Sequence, residues 1–277
     1  MRALAHISIV VLVSVAVALP LPADIIASTG NPDGKIAAAS RPGSAGQLEI
    51  ETGDDFVLTN DTTITGGLFY GLVPSNFTAS DIAGVTIEIY RVFPKDSTVP
   101  ASGDVPTRVN SPSDADFDSE SGADVLFNVG VISASFTADN SVLNGISPST
   151  TGDGAVTGQE IEIGFTLNSP FVLAADHYFF VPQVQLSNGD FYWLSAPKPI
   201  VAPGDPFSPD LQAWIRNGDL SPDWLRIGTD IVGGNPAPTY NMAFELDGTA
   251  VPEPAALPIL ISVGIAFACY RRYRMPG

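Results

Sequence analysis

The residues best suited to contact a ligand lie between Asp210 and Gly228. Read as two strands around a loop from Asn217 to Asp223, this segment has a face rich in large polar and aromatic side chains. That face carries Gln212, Trp214, Arg216, Trp224 and Arg226, and Tyr192 lies on the outer face of another expected strand. Aromatic rings beside guanidinium and amide groups are typical of a sugar-binding surface. The alternative is that a loop covers each tryptophan and an arginine stacks on it.

A second group of oxygen-bearing side chains follows at alternate positions. It consists of Asp114, Asp116, Asp118 and Glu120. This is a spacing by which a loop can wrap a hard cation such as calcium, although the loop glycine and distal glutamate of an EF-hand are missing. The pattern predicts an optional calcium site, with a solvated acidic loop as the alternative, and no other cofactor is expected.

Catalytic residues are less well marked. His177 is the only histidine beyond residue 6, and Asp176 beside it would point to the opposite side of a strand. A site with several histidine ligands is therefore excluded. Two carboxylates could still meet in space as a glycosidase pair, roughly 5 to 10 Å apart, but no pair is distinguished by the sequence. We expect a noncatalytic protein with a structural or carbohydrate-binding role, and a carboxylate-dependent glycan-active enzyme is the alternative.

The composition restricts the partners and the fold. Thirty acidic residues against 12 basic ones give a net charge of -18, which would repel nucleic acid. With 26 glycines and 24 prolines, the chain is rich in residues that form turns. We therefore expect a mostly β protein.

Hydrophobic residues alternate with polar ones in several short runs. Three runs show it best: Val85, Ile87 and Ile89; Ile161, Ile163, Phe165 and Leu167; and Met242, Phe244 and Leu246. This period of two predicts half-buried antiparallel strands. Asn188-Gly189 predicts a two-residue turn that joins two strands into a hairpin, with Trp193 in the core.

The expected fold class is all-β, an antiparallel β-sandwich over residues 47–250, preceded by a linker over residues 24–46. Segments 54–58, 64–70 and 241–246 loosely resemble the opening and closing strands of secreted bacterial jelly-roll modules. That resemblance implies a jelly-roll-like sandwich.

The N-terminus has the pattern of a secretory signal peptide over residues 1–23. Arg2 precedes an apolar run, residues 7–18, that is too short to span a membrane comfortably, and Ala16-Val17-Ala18 offers a cleavage site. An uncleaved anchor helix is the alternative. The pattern predicts export.

The C-terminus, residues 251–277, combines three features in a fixed order. Pro252-Glu253-Pro254 is followed by sixteen uncharged residues, 255–270, and then by Arg271, Arg272 and Arg274. A helix over residues 255–270 would be about 24 Å long, slightly short of a bilayer core. The arginines should stay on the cytoplasmic side of the membrane.

This tail resembles the PEP-CTERM sorting signal of bacteria that produce exopolysaccharide. The resemblance implies recognition and cleavage by an exosortase, and delivery to the cell surface or extracellular matrix. Together with the face that carries Trp214 and Trp224, it motivates the hypothesis that exopolysaccharide is a partner. Pro252, Glu253 and Pro254 would be the recognition element, and the three arginines would retain the chain in the membrane before processing. A plain membrane anchor is the alternative.

Overall fold

The computed structural model describes residues 23–44, 46–98 and 102–251. The expected signal peptide, apart from Ala23, and the expected helix over residues 255–270 lie outside the described residues. Within those ranges, none of the helices is long and apolar enough to cross a membrane.

The described residues form fifteen β-strands and three short helical turns. The strands are β1 (Asp24–Ser28), β2 (Ile36–Ala39), β3 (Ile50–Val57), β4 (Thr62–Val73), β5 (Ile82–Arg91), β6 (Asp118–Ser121), β7 (Val125–Ala138), β8 (Asn140–Val142), β9 (Val156–Leu173), β10 (His177–Leu186), β11 (Tyr192–Ala196), β12 (Trp214–Asn217), β13 (Leu225–Arg226), β14 (Asn241–Met242) and β15 (Phe244–Ala250). The helical turns are Ala79–Asp81, Gly122–Asp124 and Ile227–Val232.

The strands make two sheets. The six-stranded sheet has the order β13-β12-β3-β10-β5-β6. In the nine-stranded sheet, β4 pairs with β9 on one side, and β9 pairs with β7. On its other side β4 pairs with β15 and then β11, which lead to β1 and β2. The pairing is antiparallel except between β2 and β8.

The two sheets share one apolar core. Phe180 from the six-stranded sheet packs against Phe69, Phe165, Trp193 and Phe244 from the nine-stranded sheet, with ring centroids 5.2 to 6.2 Å apart. Phe165 stacks on Phe180, and the other three rings are tilted or edge-on to it. Aromatic side chains bury large areas and prefer such offset or edge-on arrangements. The mostly β architecture expected from composition and alternation is confirmed.

The alternating runs occupy strands as predicted. Val85, Ile87 and Ile89 are buried on β5, and the even positions between them are less buried. The run on β9 shows the same pattern, and so do Phe244 and Leu246 on β15. Met242 lies on β14, where its neighbour Asn241 is also buried. Around residue 217 the strand pair is also confirmed, since Ile215 faces Leu225 across β12 and β13.

The interpretation of residues 24–46 as a linker needs correction. This range contains β1 and β2, and β2 is buried along its whole length between β11 and β8. Its side chains are mostly alanine, so they look weakly apolar in the sequence. Small side chains allow a strand to pack inside a sheet where larger ones would not fit.

The prediction that Asn188-Gly189 joins two paired strands into a hairpin is also wrong. β10 belongs to the six-stranded sheet and β11 to the nine-stranded sheet, so the turn connects two sheets and not two paired strands. Trp193 is nevertheless in the core, as predicted. Pro182 lies beyond Phe180, the last residue of β10 that pairs with β3, so its missing N–H interrupts no bond to that strand.

Candidate functional site

A cleft of about 370 Å³ opens beside β12 and β13. Its walls come from the segment between β5 and β6, the segment before β12, the two strands themselves and the loop that precedes β14. The lining residues are Thr107, Val109, Asn110, Lys198, Asp210, Leu211, Gln212, Trp214, Arg226 and Thr239. We call this set the main cleft. Three of the predicted sugar-binding residues, Gln212, Trp214 and Arg226, lie in it.

Lys198 is one of the charged residues that line the main cleft. Its ammonium group donates to Asp210 Oδ1 at 2.6 Å, to Asn241 Oδ1 at 2.7 Å and to the carbonyl oxygen of Leu211. Both members of the Lys198–Asp210 ion pair are largely shielded from solvent. The charge of Lys198 is thus neutralised, and the lysine positions the segment that carries the lining residues.

Arg226 and Gln212, which also line the main cleft, are ordered by hydrogen bonds as well. Arg226 forms two hydrogen bonds to the carboxylate of Asp230 through its side chain, at 2.6 and 3.0 Å. Gln212 Oε1 accepts a hydrogen bond from Thr229 Oγ1 at 2.9 Å, which orients the amide and leaves its nitrogen as a donor. The main cleft thus offers fixed polar groups with little net charge.

The two tryptophans do not form an open stacking surface. Trp214 is 1% exposed and Trp224 is 0% exposed, although Trp214 contributes atoms to the wall of the main cleft. Trp224 Nε1 donates to the carbonyl of Ser113 at 3.0 Å. Both rings lie on the arginine-bearing face, as predicted, with Arg216 over Trp224 and Arg226 over Trp214. The segment between β5 and β6 covers that face, which matches the alternative reading.

Arg216 is likewise buried, in an ion pair with Glu51 on β3. Its Nη2 lies 2.9 Å from Glu51 Oε1 and donates to Tyr90 Oη at 3.0 Å. Burial alone would lower the pKa of Arg216, but the hydrogen bonds and charge of Glu51 outweigh it and leave the pKa raised. Arg216 therefore has a structural role and is not available to a ligand.

Glu88 lies beside this ion pair. Burial, together with the charges of Glu51 and Glu49, raises the pKa of Glu88 to about 8. A carboxyl group with such a pKa gains or loses its proton near neutral pH. Glu88 lies on β5, so a group that titrates near neutral pH lies on the face of the six-stranded sheet that the segment between β5 and β6 covers.

A second buried ion pair fastens the covering segment. Arg108 Nη1 donates to Asp223 Oδ1 at 2.7 Å, and Arg108 Nη2 donates to Asp114 Oδ1 at 2.6 Å. The guanidinium also lies 4.8 Å from the ring centroid of Phe93. The Arg108–Asp223 pair thus holds the covering segment to the β12–β13 loop, and the contacts of Arg108 with Asp114 and Phe93 order the segment itself.

The acidic residues of the predicted calcium site do not converge. Asp114 pairs with Arg108, Asp118 and Glu120 lie on β6, and the described residues contain no group of three or more acidic, histidine or cysteine side chains placed to hold a metal ion. On β6, Asp118 and Glu120 share one face, and Asp116 is exposed just before that strand. Hydrogen bonds from Thr98 and Arg108 outweigh burial and lower the pKa of Asp114.

His177 has a partner that the sequence did not reveal. Its Nε2 lies 2.7 Å from Asp55 Oδ2, which also accepts a hydrogen bond from the backbone N–H of Leu211 at 3.1 Å. Burial raises the pKa of Asp55, although the bond to His177 opposes the shift. The neighbouring Asp54 is buried beside Met242, whose N–H donates to it, and burial followed by the charge of Asp55 raises its pKa strongly.

Tyr192 is separated from the other predicted binding residues. It lies on β11 in the nine-stranded sheet and lines a different cleft, of about 250 Å³, with Pro74, Val156 and Asp190. Burial, with the nearby charge of Asp190, raises the pKa of Tyr192 to about 12. It does not belong to the main cleft.

Sequence reasoning missed Lys198, Asp210 and the Asp55–His177 pair. Adjacent aspartates inside an otherwise apolar strand, residues 54–58, were the available signal, since such residues are seldom buried without partners.

Comparisons with protein-family models, with curated proteins and with solved structures find no match to this chain.

Proposed function

We propose that the protein is exported, is sorted to the cell surface or extracellular matrix, and binds polysaccharide there without transforming it. The observation that carries this proposal is the order of the Pro252-Glu253-Pro254 motif, an uncharged apolar segment and three arginines. An exosortase would recognise and cleave the tail, and the apolar segment would hold the chain in the membrane until then. The signal peptide would direct the chain out of the cytoplasm.

The main cleft supports the binding part of the proposal. Sugars present hydroxyl groups, and oriented amide, hydroxyl and guanidinium groups pair with hydroxyls. Lys198 and Arg226 are each neutralised by an aspartate, so the main cleft offers hydrogen bonds and no strong positive potential. This favours a glycan whose bound residues are uncharged. We further propose that the two sheets form a jelly-roll-like sandwich, a framework that presents such a cleft at its edge.

Migration through native gels that contain exopolysaccharide from the producing cells tests this function. Wild-type protein should be retarded, and Gln212→Ala should weaken binding about tenfold because one hydrogen bond to the ligand is lost. Gln47→Ala is the matched control, since Gln47 is exposed and lies outside the main cleft. Equal, unretarded migration of all three proteins would contradict the binding proposal.

The length of the polymer recovered from the same gels distinguishes the alternative function. A glycan-active enzyme needs two carboxylates on either side of the scissile bond. Among the described residues that line the main cleft, Asp210 is the one carboxylate, and it is paired with Lys198. We therefore expect intact polymer, and shortened polymer would favour the enzyme.

A further inference from the structure

The segment that carries one wall of the main cleft has no partner strand. It runs from residue 197 to residue 213, between β11 and β12, and contains five prolines, which have no backbone N–H to donate. Within the part of the chain that the structure describes, the backbone of residues 210–212 forms no hydrogen bond with another backbone group. Asp210, Leu211 and Gln212 all line the main cleft. Side chains from elsewhere must therefore hold this wall in place.

Two side chains hold Leu211, one at each of its peptide groups. Asp55 Oδ2, on β3, accepts a hydrogen bond from the N–H of Leu211 at 3.1 Å. Lys198 Nζ donates to the carbonyl oxygen of Leu211. Because peptide groups are planar, fixing both of them restricts the directions of the neighbouring side chains, Asp210 and Gln212. Leu211 is thus the point at which the rest of the fold sets the position of the wall.

His177 acts on the charge of Asp55. Asp55 is 0% exposed, and its Oδ1 has no hydrogen-bond partner among the described residues. Burial raises the pKa of Asp55, and the hydrogen bond and charge of His177, whose Nε2 lies 2.7 Å from Asp55 Oδ2, oppose that shift. A hydrogen bond to an ionised carboxylate is roughly twice as strong as one between neutral groups. The strength with which Asp55 holds Leu211 therefore depends on the charge of Asp55.

We propose that Asp55 and His177 are positioning residues of the main cleft: Asp55 fixes Leu211, and His177 keeps Asp55 ionised in mildly acidic surroundings. This inference rests on the proposed binding of polysaccharide in the main cleft, because the position of the wall matters to function only where a ligand contacts it. Asp55 and His177 do not line the main cleft themselves, so both act through Leu211.

Other charged groups near the pair do not replace His177. Adjacent residues of a strand point to opposite faces, so Asp54 faces away from Asp55 and accepts its hydrogen bond from β14. The charge of Asp210 raises the pKa of Asp55 further. The remaining groups are paired, Asp210 with Lys198 and Asp176 with Lys95. His177 is therefore the titratable side chain that favours the ionised form of Asp55.

Amide hydrogen exchange, followed by NMR on the protein purified from the producing cells, tests the contact without any glycan. The Ala213 amide donates to the backbone carbonyl of Tyr240 and serves as the internal reference. Asp55→Ala should lower the protection of the Leu211 amide relative to that of Ala213 about tenfold, because its acceptor is lost. Asp55→Asn keeps an acceptor and should retain most of the protection.

Asp54→Asn is the matched control for this exchange experiment. Asp54 and Asp55 are equally buried and adjacent on β3, but Asp54 does not contact Leu211. The control should leave the ratio of Leu211 to Ala213 protection unaltered. The same ratio in Asp55→Ala as in wild type, or an equal fall in Asp54→Asn, would overturn the proposal.

The pH profile of retardation in exopolysaccharide gels tests the role of the charge. Wild-type retardation should decline as the pH falls through the raised pKa of Asp55, because a protonated carboxyl group holds Leu211 less strongly. His177→Phe keeps a ring to stack on Phe179 and removes the group that opposes the pKa shift, so the decline should occur at higher pH. Asp55→Asn should bind about threefold to tenfold more weakly than wild type at neutral pH and show no such decline.

These measurements separate the positioning role from the proposed function. A purely structural role of His177 would lower the stability of His177→Phe but leave the pH of the decline unchanged, and that result would overturn the proposal. Equal affinities and pH profiles for wild type and Asp55→Asn would also overturn it while leaving polysaccharide binding intact. If wild type is never retarded but the exchange ratio falls in Asp55→Ala, the proposed function fails, and the hold of Asp55 on the wall is still supported.

Discussion

The central guanidinium carbon of Arg216 lies 4.4 Å from the centroid of the Trp224 ring. Both side chains are buried, and both donate hydrogen bonds to backbone carbonyls of the segment between β5 and β6: Trp224 to Ser113 and Arg216 to Asp114. This cation–π pair thus helps to hold the segment between β5 and β6 against the six-stranded sheet. The pair therefore contributes to the stability of the fold.

Replacing Trp224 by alanine should lower the free energy of unfolding by about 3 to 5 kcal/mol. The change leaves a cavity, removes the hydrogen bond to Ser113 and exposes Arg216 to an empty space. Urea unfolding measures the loss. The control is Val201→Ala, a change at an exposed side chain, which should stay within about 0.5 kcal/mol of wild type. A Trp224→Ala protein as stable as this control would show that the cover is not held by Trp224.

Replacing Glu51 by glutamine should also be strongly destabilising, by about 3 to 5 kcal/mol, because it leaves the charge of Arg216 buried without a counterion. Lys95→Met removes one partner of the more exposed Lys95–Asp176 pair and should cost less than about 1 kcal/mol. Thermal and urea unfolding of both variants give the comparison. Equal costs would mean that the Arg216–Glu51 pair is hydrated and not buried.

Glu88 should make the protein less stable as the pH rises. Its pKa is raised from 4.5 to about 8, mainly by burial, so the folded state binds a proton that the unfolded state releases. The stabilising effect of that proton is complete below pH 4.5 and is lost as the pH rises towards 8. Glu88→Gln should therefore lose less stability than wild type between these pH values, as measured by urea midpoints.

Asp81→Asn is the control for this titration. Hydrogen bonds from Thr78 lower the pKa of Asp81, so its contribution is present above the unfolded pKa and is lost as the pH falls. This variant should change the stability of the protein at acidic pH. It should leave the difference in stability between pH 4.5 and 8 unaltered. Parallel profiles for Glu88→Gln and wild type in that range would contradict the raised pKa.

Local patterns in the sequence predicted strands well because the side-chain period reports which positions face the core. The runs around Ile87 and Ile163 and the strand pair around Asn217 were found in this way. Which strands pair with each other is not determined by the local sequence, however. The Asn188-Gly189 turn looks like a hairpin from its neighbours alone, and only the packing of two sheets shows that its flanking strands part.

The candidate site was predicted only in part for a related reason. Alternation placed Trp214, Arg216 and Trp224 on one face correctly, but it cannot show what covers that face. The cover depends on Arg108 reaching Asp223, a contact across 115 positions of the chain. Lys198 and Asp210 escaped notice because single charged residues in proline-rich segments carry no periodic signal.

Gly71 should tolerate no side chain. A Cβ atom there would lie 2.0 Å from the Phe191 ring, within the shared core, so Gly71→Ala should destabilise the protein by about 1 to 3 kcal/mol or more. Gly84→Ala, on β5 with nothing within 4 Å, is the matched control and should be close to neutral. Equal unfolding midpoints for the two variants would show that Phe191 does not pack against β4 as described.

The proposed sorting role of residues 251–277 is tested most directly by cell fractionation combined with mass measurement of the protein. We expect wild type at the surface or in the matrix with the tail removed. A variant with Glu253→Ala and alanine at Arg271, Arg272 and Arg274 should stay in the membrane or be mislocalised with its tail intact, whereas Val251→Ala should behave as wild type. Normal delivery and cleavage of the four-residue variant would contradict the central claim that this tail sorts the protein.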